Sequence, residues 1–234
     1  MIARARICHV VFGIVFLSLP VLLYSPALRA QQTPEQRSRL AYENRLNHVI
    51  KNMTTRRDAE NAEFNARLNQ MNAAAPLELK NFDTTIVTQN VSRILEFLDY
   101  LKRERISSDS LARAFEDSLY IFSAELPKDI EAEGLNEIKT DFETDRTAFN
   151  NFLDVMTKLY SDVLDVLLHL QHHPYRIAHN QLTFELKADA TEYRRLMKIV
   201  DADTKDLNAA NEKLRQANAQ SNRQTKKKDT LDGK

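Results

Sequence analysis

From residue 31 onward the chain carries four prolines, Pro34, Pro76, Pro127 and Pro174, and one interior glycine, Gly134; Gly233 stands next to the C-terminus. Glycine supplies positive φ and close backbone approach, and proline stops helices. A chain almost without either, cut at intervals of 42, 51 and 47 residues, predicts a few very long helices. The same scarcity removes whole chemistries. No glycine loop exists to cradle a phosphate, and neither G-x-G-x-x-G nor G-x-S-x-G occurs.

The first thirty residues have a different character. Arg4 and Arg6 precede the apolar stretch Val10–Leu23, broken by Pro20, and Ser25-Pro26-Ala27-Leu28-Arg29-Ala30 follows. A basic start, an apolar run of about 14 residues and small residues at the end make a secretory signal, residues 1–30. Cleavage after Ala27, with Ser25 at −3, fits the small-residue rule best; cleavage after Ala30 leaves Gln31 as the new terminus. The alternative is an uncleaved anchor, since residues 7–24 are just long enough to span a thin bilayer. Cys8, the one cysteine, lies inside this segment. Without it the exported chain has no disulfide to lean on, and its packed core must hold the fold.

Charge excludes another class. Beyond residue 30 there are 30 Lys and Arg against 33 acids, and residues 223–234 hold five of those bases. The body, residues 31–222, is therefore mildly acidic and mixed in sign, which argues against a nucleic-acid surface. The segment 223–234, with Lys226-Lys227-Lys228, has the composition of a disordered basic tail.

Apolar spacing fills in the helices. Pro34 suits a first helical turn after Thr33 as N-cap. Leu40, Leu46, Val49, Ile50, Met53, Phe64, Leu68 and Met71 follow on one side, interrupted by the polar stretch Thr54–Glu63. A second helix carries Ile86, Val87, Val91, Ile94, Leu95, Leu98 and Leu101. Ser107-Ser108-Asp109-Ser110 is expected to break it, and Leu111, Phe115, Leu119, Phe122 and Leu126 form the continuation up to Pro127. The fourth segment alternates spacings of three and four from Leu135 through Ile138, Phe142, Asp145, Phe149, Phe152, Met156, Leu159, Val163, Val166 and Leu170 to His173. Ten of these twelve positions are apolar, the mark of a coiled-coil or bundle seam. The last helix repeats Leu186, Tyr193, Val200, Leu207 and Leu214 every seven residues. Nowhere does sustained strand alternation stand between turn residues, so no strand is expected.

Four arms of nearly equal length joined by short loops predict an all-α, elongated antiparallel four-helix bundle with coiled-coil-like packing, the second arm broken near Ser107-Ser108. If that break is a full reversal, the fold is a five-helix bundle.

Candidate chemistry is sparse. Asp162, Asp165, His169 and His172 stand at i, i+3, i+7 and i+10 on the fourth helix, with His173 and His179 flanking Pro174 and with Glu185 and Asp189 beyond. Imidazoles three or four residues apart can share zinc, nickel or copper. Histidines near a helix C-terminus also complement its negative end without any metal. Neither H-E-x-x-H nor the E-x-x-H of di-iron bundles occurs. Asp145 is a carboxylate in an apolar seam, placed to fix register, to bind something, or to mark a solvated gap. Asn52-Met53-Thr54 and Asn90-Val91-Ser92 match the glycosylation acceptor pattern but fall on predicted helices.

These features point to an exported, non-enzymatic bundle acting as an interaction or scaffold module of the cell envelope, periplasmic or secreted. It would pair with a protein partner or itself through helical faces, without a cofactor and without nucleic acid, and would touch a membrane only if residues 1–30 are retained. The alternative is a ligand- or metal-sensing periplasmic bundle, with Asp162, Asp165, His169 and His172 as the metal set. No nucleophile–base pairing can be argued from spacing.

Overall fold

Helix starts and stops follow from the side chains at their boundaries. At the first start Thr33 and Gln36 form a reciprocal capping box: the Gln36 amide donates to Thr33 Oγ1 at 3.2 Å and the Thr33 amide to Gln36 Oε1 at 2.9 Å. Two orphan amides are satisfied at once, and α1 runs Pro34–Ala74. Ala75 then turns into the left-handed region (φ 41°) ahead of Pro76. The Asn81 amide group donates to the carbonyls of Ala74 and Ala75 at 3.1 and 2.9 Å, closing the helix end. A short 3-10 turn, Leu79–Asn81, leads to Asp83, whose carboxylate accepts from the Thr85 amide at 2.9 Å as α2, Thr84–Ala124, begins. α3 spans Glu133–His172 and stops before Pro174; α4 spans Lys187–Leu231. This computed structural model describes residues 33–125, 133–179 and 181–231. The expected signal segment, residues 1–30, lies outside them.

The architecture is an all-α antiparallel four-helix bundle with coiled-coil-like seams, α1 packing on α2 and α2 on α3. Two details differ from the sequence expectation. First, α2 passes through Ser107-Ser108 without a break. Its inward positions explain why: Val87, Asn90, Ile94, Phe97, Leu101 and Glu104 are buried, and the same spacing of three and four continues through half-buried Ser108 to Leu111 and Phe115. The serines cost helix propensity of only a few tenths of a kcal/mol each, too little to interrupt a seam anchored on both sides. Secondly, Pro174 is followed by a hairpin, β1 (Tyr175–Ala178) paired antiparallel with β2 (Gln181–Phe184). Tyr175 faces Phe184 and Ile177 faces Leu182, and His179 takes the left-handed conformation (φ 52°) in the two-residue turn. Such turns need positive φ and usually contain glycine, which is why the expectation missed it.

The chain divides into two compact units. Among the described residues one comprises 62–107, 148–179 and 181–214. Its core stacks Phe64, Leu68 and Met71 of α1, Ile94, Phe97 and Leu101 of α2, and Phe149, Phe152, Met156 and Val166 of α3. Val200, Leu207 and Leu214 of α4 complete it. The Phe64 ring lies 6.0–6.3 Å from those of Phe149, Phe152 and Tyr100. Each such side chain contributes about 1.5–3 kcal/mol by leaving water. Leu186, expected to open the α4 seam, is 62% exposed, because the helix starts one residue after it.

Among the described residues the other unit comprises 33–61, 108–125, 133–147 and 215–231. Its cluster is Tyr42, Phe115, Leu119 and Phe122, with Leu46, Val49, Ile50, Met53, Ile138 and Phe142 only partly buried against it. The Tyr42 hydroxyl donates to the Phe122 carbonyl at 3.1 Å, and Arg45 and Glu125 pair at 2.7 Å. α4 keeps its helical backbone to Leu231 and so enters the segment 223–234 assigned to a tail, since residues 187–231 hold neither glycine nor proline. Among the described residues no helix is long and apolar enough to cross a membrane.

Candidate functional site

Seam geometry decides where the histidines of α3 go. His169 follows Val166 at the core spacing and is buried, whereas His172 is exposed. The His169 Nε2 lies 2.9 Å from the Asp189 backbone carbonyl. A carbonyl only accepts, so Nε2 carries the proton in this bond. His173 Nδ1 sits 3.1 Å from Asp189 Oδ1, and the His169 and His173 rings stack at 4.3 Å. Phe184 of the hairpin packs on His169 at 5.3 Å and on Tyr193 at 5.4 Å. The Tyr175 hydroxyl donates to the Phe82 carbonyl, fastening the hairpin to the α1–α2 connection. The arrangement clamps the end of α3 to the start of α4 through one buried aspartate.

Asp162 belongs to a second cluster. Lys158 donates to Asp162 one turn on, at 3.3 Å, and across to Asp203 of α4. Asp203 is 3% exposed and occupies a seam position between Val200 and Leu207. Burial, and then a hydrogen bond with Asp203, push the Asp162 carboxyl above the usual carboxylate range. Burial also works against the charge of Asp203, but the hydrogen bonds from Asp162 and Lys158 outweigh it and hold this carboxyl low. Asp203 Oδ2 is buried without a hydrogen-bond partner. Two neighbouring carboxylates push each other's ionisation apart, one raised and the other lowered, and the lysine offsets part of their repulsion.

The four residues read from the sequence as a metal set are therefore not gathered. His169 turns to Asp189, Asp162 turns to Asp203 and Lys158, and Asp165 and His172 are exposed. Among the described residues no three His, Cys, Asp or Glu side chains form a group that could hold a metal ion. At 100° per residue, a run of i, i+3, i+7 and i+10 is wide enough to straddle the edge of the seam, so its members divide between core and solvent.

Asp145 lies in the other unit. It is half-buried, its Oδ1 has no hydrogen-bond partner, and burial pushes its pKa up to about 6. Arg57 of α1 pulls the pKa down and Asp141, one turn earlier on α3, adds to the rise. Arg57 belongs to the polar stretch Thr54–Glu63 of α1.

Of the two acceptor patterns, Asn90 is 1% exposed, with Oδ1 accepting from Arg93 at 3.3 Å, so a glycan has no access to it. Asn52 is exposed and bonds His48 at 3.1 Å. Sequence reasoning set Asp189 near the histidines without placing it in the core, and it overlooked Asp203. The signal was present: the α4 seam read as strict sevens omits the intervening positions, Asp189, Leu196, Asp203, Ala210 and Ala217, all buried. No protein-family model, curated protein or solved structure matches the chain.

Proposed function

We propose that this protein is an exported, non-enzymatic helical bundle that acts as an interaction or scaffold module of the cell envelope. The observation that carries the reading is the first half of α1. Leu46, Val49, Ile50 and Met53 form an apolar stripe that its own unit covers only partly. A half-covered amphipathic stripe gains burial when a partner helix completes it, as in helix-in-groove recognition. The polar stretch that follows keeps this arm weakly packed, and weakly packed segments open at low cost. Export is supported by the basic, apolar and small-residue order of residues 1–30.

The test places a photo-crosslinking residue at Val49 or, separately, at the outward-facing Lys51 of the chain expressed in a cell that exports it. Adducts at position 49 and not at 51, on chains whose N-terminus begins at Leu28 or Gln31, are expected. Equal labelling at the two positions removes the stripe as a docking element. Retention of residues 1–30 with the chain in the cytosol overturns the export half of the reading.

A further inference from the structure

Between residues 87 and 108 the side of α2 opposite its core seam carries two large apolar residues, Leu95 (51% exposed) and Ile106 (61% exposed). Single exposed apolar side chains are ordinary. These two are eleven residues apart, close to three whole turns, and so share one line along the helix. Asp99, Lys102 and Arg103 lie between them on the same exposed side, with Glu96 at its edge.

The order of these residues inverts about the level of Tyr100 and Leu101. Apolar and acid come before it, base and apolar after it. Turning a second α2 end for end therefore lays Leu95 on Ile106 and Asp99 on Lys102 and Arg103, twice over. A parallel pairing instead sets Asp99 on Asp99 and Lys102 on Lys102, and juxtaposed like charges are penalised. Asp99 and Arg103 already attract each other along the helix at 3.3 Å, with both side chains about two-thirds exposed. Such a surface pair is worth little, so exchanging it for one across an interface costs little.

We propose that α2 pairs antiparallel with α2 of a second copy of this chain, through the face from Leu95 to Ile106, about a two-fold axis at the level of residues 100–101. The contact is isologous, so the same patch serves both copies. It rests on the interaction role proposed above and names the partner for this face. Two apolar residues per copy place it among small, concentration-dependent interfaces.

The experiment uses the full chain with Cys8→Ser, which removes the one native cysteine. Chains carrying Leu95→Cys and chains carrying Ile106→Cys are mixed and mildly oxidised. The 95–106 cross-link should exceed the 95–95 and 106–106 cross-links by about fivefold or more, as antiparallel register requires. In sedimentation velocity, Ile106→Glu should weaken self-association about tenfold, as should Asp99→Lys, while Asp99→Lys combined with Lys102→Asp restores part of it, Arg103 still opposing the new lysine. All four positions are exposed, so folding is not at stake. A monomer up to about 100 µM, the weak end of specific association, overturns the proposal, and so does a preference for 95–95 links. A dimer indifferent to Ile106→Glu also overturns it, while leaving the general interaction role intact. Loss of the Val49 adducts with the 95–106 link preserved removes the α1 docking reading and leaves this pairing standing.

Discussion

Asp145→Asn should make the protein more stable at neutral pH and less dependent on pH. The carboxyl titrates at about 6 in the folded chain against an ordinary value of 3.8. Burial is the main cause, Arg57 opposes it and Asp141 adds to it. The folded value is the higher one, so the folded state holds this proton more tightly than the unfolded chain. The stabilisation is complete below about pH 3.8 and is lost as pH rises through about 6. A difference of roughly two pKa units corresponds to about 3 kcal/mol as an upper bound. Residual solvent contact reduces this to about 1–3 kcal/mol of penalty at pH 8. Asparagine has the same shape and no charge, so the variant escapes the penalty. Urea denaturation of both proteins from pH 4 to pH 8 isolates the residue, because every other titrating group cancels in the difference. The variant's advantage should be near zero at pH 4, grow between pH 4 and 6.5, and level off above that. An advantage that is flat with pH, or greatest in acid, refutes the assignment of a buried, destabilised carboxylate.

Two further changes test the other unit. Phe149→Ala removes a buried ring that packs on Phe64 and should cost about 3–5 kcal/mol in chemical denaturation; a loss below about 1 kcal/mol would mean that the seam is not the core. Asp162→Asn places a permanent N–H donor beside Asp203, whose hydrogen bond helps to raise the Asp162 carboxyl. Because the Asp162 carboxyl is raised in the folded state, wild-type stabilisation here fades as pH rises. Hydrogen exchange of residues 200–207, corrected for intrinsic rates, should therefore slow in the variant at pH 7 and match wild type in mild acid. Faster exchange in the variant at pH 7 would refute a destabilised Asp162 carboxylate.

Most helix starts and stops were legible because they are local. Thr33-Pro34, Pro76, Asp83 and Pro174 act through their own dihedrals and hydrogen bonds, whatever the rest of the chain does. The α3 seam was legible for a related reason: apolar residues at alternating spacings of three and four can be buried only along one line. What the tertiary structure decided lay wherever local preference was weak or balanced. Ser107-Ser108 is a poor stretch of helix by itself, but buried neighbours on both sides of it in α2 hold it helical. His179 pays no prohibitive local penalty in a left-handed turn, and the pairing of Tyr175 with Phe184 makes that turn worthwhile. His169 and His172 are chemically identical and three residues apart, and only the position of α4 sends one to Asp189 and the other to water. Asp203 looks like any charged residue in a polar helix until Lys158 and Asp162 arrive from α3. Local sequence sets where helices begin and end, whereas the ionisation and partners of a buried acid depend on residues tens of positions away, which only packing brings within a few ångströms.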